Sequence, residues 1–154
     1  MAKTAVFPGS FDPITLGHES IIRRALPLFD KIIIAIGVNS TKENFFPLEK
    51  RKNWLKKVFR GEKKVEVKSY QGITIDFCEQ QKANYILRGL RTSADFEFER
   101  VIAQMNRSMN ENIETVFILS TPELSAINST VVRDIIRNGG DAIKFIPKGI
   151  DLYK

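Results

Sequence analysis

The order of apolar runs is what most narrows the fold of this chain. Short runs rich in Ile and Val, at 4–7, 31–38, 64–69, 85–88 and 115–119, read as strands. Segments of helical character fall between and after them, at 19–29, 48–59, 73–81, 94–110 and 129–138. Such alternation is the pattern of a parallel sheet covered by helices. Strands this apolar are expected when both faces of the sheet are buried. The chain is therefore expected to form an α/β fold. Its core would be a Rossmann-like, open, five-stranded parallel sheet with helices on both faces.

Local signals refine the elements. Pro47 suits the first turn of the second helix, and Gly139-Gly140 suits the end of the last one. In the 94–110 segment, Phe98, Val101, Ile102, Met105 and Met109 share one helical face and are expected to pack in the core. The tail Phe145–Lys154 reads as a short helix or an arm. With 154 residues and no linker or repeat, residues 1–154 are expected to form a single domain.

Composition excludes several classes of function. Cys78 is the single cysteine, which rules out a disulfide framework and a multi-cysteine metal site. It fits a reducing, cytoplasmic setting. The N-terminus has no apolar h-region of a signal peptide, and the longest apolar run, Ile32–Val38, is too short to span a bilayer. No membrane partner is expected. The formal charge of +6 fits nucleic acid, anionic lipid or small phosphorylated ligands, and its location must decide among them. The clusters at Lys50–Lys57 and Arg60–Lys64 read as a solvated helix face and turn, so no nucleic-acid partner is expected.

Chemistry concentrates after the strands, where open parallel sheets bind ligands. Ser10 and His18, the single histidine, follow the first strand within Pro8-Gly9-Ser10-Phe11-Asp12-Pro13-Ile14-Thr15-Leu16-Gly17-His18. Asn39 to Lys42 follow the second, Arg88-Gly89-Leu90-Arg91 the fourth, and Ser120 to Thr130 the fifth. A strand, a glycine-bearing turn and a helix start make an anion site, because the first helical N–H groups lack partners. There is no G-x-x-x-x-G-K-[ST] loop and no G-x-G-x-x-G fingerprint. A hydrolytic triad or a zinc site lacks the residues it needs. A histidine, a lysine, two arginines and small hydroxyls remain, and these stabilise phosphate charge. Plainer roles stay open: Asp95, Glu97 and Glu99 can pair with Arg88 and Arg91, and Ser129 or Thr130 can be a helix N-cap.

The Pro8–His18 stretch resembles the signature of the nucleotidylyltransferase superfamily, whose members carry an H-x-G-H or T-x-G-H element. Ile127-Asn128-Ser129-Thr130-Val131-Val132-Arg133 resembles its second, I-S-S-x-x-x-R motif. Thr15 and the run Arg88-Gly89-Leu90-Arg91-Thr92-Ser93-Ala94-Asp95-Phe96-Glu97-Phe98-Glu99 make the chain similar to the bacterial pantetheine-phosphate adenylyltransferase family over nearly its whole length. That resemblance implies transfer of the adenylyl group of ATP to 4′-phosphopantetheine. His18 would stabilise the transition state. Lys42 and Arg88 would hold the acceptor phosphate, with Ser10 contacting it and ATP and Phe11 alongside. Arg91, Ser129 and Thr130 would address the leaving phosphates. Gly89, Leu90, Leu124, Ser125, Ala126, Ile127, Asn128, Ser129 and Thr130 would line the ATP site, Glu99 would reach the nucleotide, and Thr74 would meet the pantetheine arm.

Mg2+ would ride on the ATP phosphates with no protein ligand set. The resemblance further implies a homohexamer built from two trimers, and feedback binding of coenzyme A. The chain departs from the usual pattern at Ser10, Asn128, Leu124 and Ala126, all outside the charged core of the site. The alternatives are another small-molecule nucleotidylyltransferase, acting on nicotinate mononucleotide or a cytidylyl acceptor, and a basic nucleic-acid-binding module.

Overall fold

A computed structural model describes residues 1–39 and 41–153. Ser40, within the 39–42 loop, and Lys154, at the end of the tail, lie outside the described residues. The strands are β1 (Thr4–Gly9), β2 (Lys31–Gly37), β3 (Val65–Tyr70), β4 (Tyr85–Leu90) and β5 (Glu114–Leu119). They form one sheet in the order β3-β2-β1-β4-β5, with every neighbouring pair parallel. Between and after them run α1 (Leu16–Ala25), α2 (Leu48–Val58), α3 (Thr74–Gln80), α4 (Ser93–Met109) and α5 (Ser129–Arg137).

The period-two alternation of the strands divides their side chains between two cores. Ala5, Phe7, Ile32, Ile34 and Ile36 join Ile22 of α1, Leu55 of α2, Val132 of α5 and Leu152 of the tail. Val6, Ile33, Ala35 and Ile86 join Ile75 and Cys78 of α3 on the opposite face. Both faces are covered, as the apolar strands require. The tail is no free arm: Ile146, Ile150 and Leu152 are buried in the first core.

Several boundaries differ from the sequence expectation for local reasons. β1 runs on to Gly9 and β4 to Leu90, because the ladders continue as Gly9 opposite Ile36 and Leu90 opposite Leu119. α1 begins at Leu16, so His18 occupies its third position and does not precede it. It ends at Ala25, where Pro27 gives a 3-10 turn over Leu26–Leu28. Past α5, Gly139 takes φ +78° and Gly140 N–H donates to Ile135 O at 2.8 Å, which closes the helix end.

The expected core role for one face of α4 does not hold. Phe98 is 69% exposed and Met105 61%, and Val101, Ile102 and Met109 are also exposed. The helix instead turns Asp95, Glu99, Ala103 and Asn106 inward, which with Arg100 are its buried or half-buried positions. A helical period identifies a stripe, but it cannot say which side of that stripe meets the sheet.

Strand order positions the site. From β1 the chain moves outward to β2 and β3, then crosses back to the other side of β1 as β4 and β5. At the carboxyl ends of β1 and β4 the loops therefore leave in opposite directions and open a crevice.

Candidate active site

The crevice is a cavity of about 360 Å³ at this switch point. It brings together Ser10, Phe11, His18, Lys42, Arg88, Gly89, Arg91, Glu99, Ile127, Asn128, Ser129 and Thr130, all singled out in the sequence. A second cavity of about 280 Å³ shares Ser10, Arg88 and Glu99 with it and reaches Thr74, Tyr70 and Asn106. Leu90, Leu124, Ser125 and Ala126 stand outside the walls of both. Leu90 closes β4, its carbonyl accepting from Ser120 N–H at 2.7 Å. Leu124 ends the 3-10 turn Pro122–Leu124, and the Ser125 hydroxyl turns back to donate to Pro122 O.

His18 is held by the helix cap. Thr15 is the N-cap of α1, and its hydroxyl oxygen accepts from His18 N–H at 3.4 Å. In return, Thr15 N–H donates to His18 Nδ1 at 3.0 Å. This is a capping box with an imidazole where a carboxylate or carboxamide usually stands. The bond makes Nδ1 an acceptor, so Nε2 carries the proton of the neutral ring. Burial pushes the imidazole down to about 4, and the Arg88 and Arg91 guanidiniums push it the same way. The ring is thus a neutral donor at physiological pH. The buried Phe11 ring backs it edge-on, 5.0 Å between centroids. Phe11 holds φ +47°, a conformation rare outside glycine, so the turn commits its backbone to this arrangement.

Both arginines are paired, and both line the cavity. Arg88 Nη2 donates to Glu99 Oε1 at 2.6 Å, Nε bridges both carboxylate oxygens, and Nη1 donates to Pro8 O at 2.6 Å. A guanidinium has five N–H groups, so Nη1 and Nη2 each keep one for a ligand. Glu99, expected to reach the nucleotide, lines the crevice with its carboxylate paired to Arg88. Arg91 donates through Nε to Asp95 Oδ2 at 3.1 Å. Glu97 pairs with Arg100 instead, outside the crevice. Lys42 Nζ donates to Ser10 Oγ at 3.3 Å.

The second helix start is capped by the residue before the two hydroxyls. The N-cap of α5 is Asn128, whose side-chain oxygen accepts from Val131 N–H at 2.9 Å. Neither Ser129 nor Thr130 caps it. Ser129 Oγ donates to Pro13 O at 2.7 Å, and Thr130 Oγ1 accepts from Arg133 Nη2 at 3.2 Å. An amide at 128 therefore keeps the cap that a serine would provide. The starts of α1 and α5 present N–H groups without helical partners to one cavity. Gly89 allows a close approach: a Cβ there would meet Ile21 Cγ1 at 3.0 Å, so the Ile21 side chain would have to give way.

Three residues gain a place that the sequence reading did not assign. Arg133 lines the cavity and donates through Nη1 to Asp12 O at 2.7 Å. Its position one turn after Ser129 was the available signal. Asp12 and Arg51 are buried beneath the loops. Arg51 carries no signal, being one base among many in a lysine-rich helix.

The comparisons agree with this geometry. Residues 6–135 match the cytidylyltransferase-like family model. A phosphopantetheine adenylyltransferase of Flavobacterium johnsoniae is 53% identical over 99% of this chain and 99% of its own length. That of Flavobacterium psychrophilum is 54% identical over 96% of this chain and 97% of its own. The Bacteroides thetaiotaomicron protein of the same name is 43% identical over 97% and 99%. A solved structure from Vibrio parahaemolyticus, described as a nicotinate-nucleotide adenylyltransferase, superposes with a TM-score of 0.71 over 97% of this chain and 90% of its own. At 19% identity it speaks to the fold alone. The parallel sheet, the two helix starts and the identities over nearly full length lead to one statement: this chain belongs to the phosphopantetheine adenylyltransferase family, nucleotidyltransferase enzymes of cytidylyltransferase-like type.

Proposed function

We propose that the crevice joins ATP to 4′-phosphopantetheine, giving dephospho-coenzyme A and pyrophosphate. One observation carries this reading: Lys42, Arg88, Arg91, a neutral His18 and two helix starts meet at one cavity from loops distant in sequence. An oxygen of the acceptor phosphate attacks the α-phosphorus of ATP. The bond from that phosphorus to the bridging oxygen breaks, and pyrophosphate leaves with the electron pair. The nucleophile is already an anion, so no strong base is needed. The task is to bring two polyanions together and to stabilise the spread charge.

His18 donates its Nε2–H to the α-phosphate oxygens. Lys42 and Arg88 hold the acceptor phosphate, and Ser10 bridges both reactants. Arg91, Ser129, Thr130 and the N–H groups at the start of α5 receive the leaving phosphates. Glu99 aims Arg88. Gly89 and the 127–130 backbone form the nucleotide side, and Thr74 lies on the cavity suited to the pantetheine arm.

Mg2+ enters on the ATP phosphates, where it offsets their charge. Among the described residues no three His, Cys, Asp or Glu side chains cluster as metal ligands. The crevice carboxylates are already engaged: Asp12 by Phe45 and Phe46, Asp95 by Arg91, and Glu99 by Arg88.

Further parts of this reading are a single domain over 1–154, work in the cytoplasm, feedback binding of coenzyme A in the same crevice, no nucleic-acid partner, and a homohexamer. The apolar stripe on α4 supports assembly, since several large apolar side chains stand exposed on one helix face. No helix among the described residues is long and apolar enough to cross a membrane. The test is incubation with ATP, Mg2+ and each candidate acceptor. Pyrophosphate release with phosphopantetheine is expected; release only with nicotinate mononucleotide would overturn the choice of acceptor.

A further inference from the structure

Asp12 is 3% exposed, at the wall of the crevice and close to the Arg51 guanidinium. It forms no salt bridge among the described residues. One carboxylate oxygen accepts from Phe45 N–H at 2.7 Å and the other from Phe46 N–H at 2.8 Å. Arg51, on α2, completes the clamp. Its Nε donates to Phe46 O at 2.9 Å and its Nη1 to Ser10 O at 2.8 Å. Both sides of Phe46 are thus tied, one to Asp12 and the other to a base that also holds Ser10.

A buried carboxylate is costly, and apolar replacements of similar volume often serve stability as well. The aromatic contacts of Phe45, Phe46 and Trp54 already pack this loop. The carboxylate adds register. Lys42 stands three residues before Phe45, and its ammonium reaches Ser10 Oγ. On the other side, the Asp12 carbonyl takes the Arg133 guanidinium from α5.

We propose that Asp12 is a positioning residue for the acceptor half of the reaction. By clamping the Phe45 and Phe46 N–H groups it sets Lys42 over Ser10. The proposal rests on the reading that Lys42 holds the acceptor phosphate.

The test is Asp12→Asn, alone and combined with Lys42→Ala. The amide keeps the shape but offers one acceptor oxygen, and its NH2 faces the second backbone N–H. The expected result is a rise of about tenfold in KM for phosphopantetheine, with KM for ATP changed less than about twofold. In the Lys42→Ala background the same substitution should add nothing further to acceptor KM, because the residue acts through Lys42. An unchanged acceptor KM, or a full second increment in that background, overturns the proposal. Loss of thermal stability without a change in KM would mark Asp12 as merely structural and overturn it too. If Asp12→Asn does not fold, Arg51→Lys reads the same clamp, since an ammonium keeps the charge but cannot span both carbonyls as a guanidinium does. Unchanged acceptor KM in Arg51→Lys then overturns it. Lys42→Ala by itself distinguishes the two readings: if it leaves acceptor binding intact, the role of Lys42 fails, whatever Asp12 does.

Discussion

On the proposed mechanism, replacing His18 with alanine removes one donor from the reacting phosphate, together with the ring's half of the α1 capping box and its contact with Phe11. The ring is set by Thr15 N–H on Nδ1, and its Nε2–H is the proton left to give. Removal of a single preorganised donor to a developing oxyanion typically costs 10²–10³-fold in rate, about 2.7–4 kcal/mol. A charge-spreading transition state draws on that donor more strongly than ground-state ATP does. Turnover should therefore fall by about 10²-fold or more while ATP affinity changes by only a few-fold. The assay is pyrophosphate release at saturating substrates, with ATP binding followed by calorimetry. Turnover within a few-fold of the natural enzyme would refute the reasoning.

The ring also makes a prediction about pH. Because burial holds the folded imidazole at about 4, it stays neutral through the neutral range, and the rate should show no His18 limb near 6.5. Stability behaves differently. The unfolded chain takes up this proton near pH 6.5 and the folded chain only near 4. The neutral ring's contribution is therefore intact above about pH 6.5 and is lost as pH falls through that window. His18→Ala should flatten this part of the stability curve relative to the natural chain. A rate limb near 6.5 that vanishes in the variant would show a titrating histidine and contradict the neutral donor.

Lys42→Ala and Arg88→Ala should each raise KM for phosphopantetheine by about tenfold or more, measured by initial rates; unchanged acceptor kinetics in both would remove them from that role. Asn128→Ala removes the α5 cap and should cost about 1 kcal/mol, lowering Tm by about 2–4 °C, with a melt unchanged within 1 °C as the contrary result. Phe98→Glu with Met105→Glu puts charge on the exposed α4 stripe and should dissociate the proposed homohexamer in sedimentation. A natural chain that sediments as a monomer at micromolar concentration would contradict the assembly outright.

Much of the fold was legible because it rests on local chemistry. Apolar runs of strand length, spaced by helical segments, announced a parallel sheet, and the polar residues after each run marked its reactive edge. The ends of elements were less legible. β4 runs past Arg88 because β5 pairs with it there, and α1 stops early because of Pro27. Asn128 took the cap that had been left open to Ser129 or Thr130, since all three can cap and only the chain path selects one.

What the sequence by itself determined was the set of reactive groups and the alternation that delivers them to one edge of a sheet. Strand order, the inward side of α4 and the partners of each charge were decided only in three dimensions. Asp95, Glu97 and Glu99 all stood as partners for Arg88 and Arg91, and only the placement of α4 sets the Glu99 carboxylate on the Arg88 guanidinium, eleven residues away. Asp12 and Arg51 give the clearest case. Neither residue type reveals that the other end of its hydrogen bonds is the backbone of Phe46, because backbone groups look alike in any sequence and become distinct partners only where the chain brings them together.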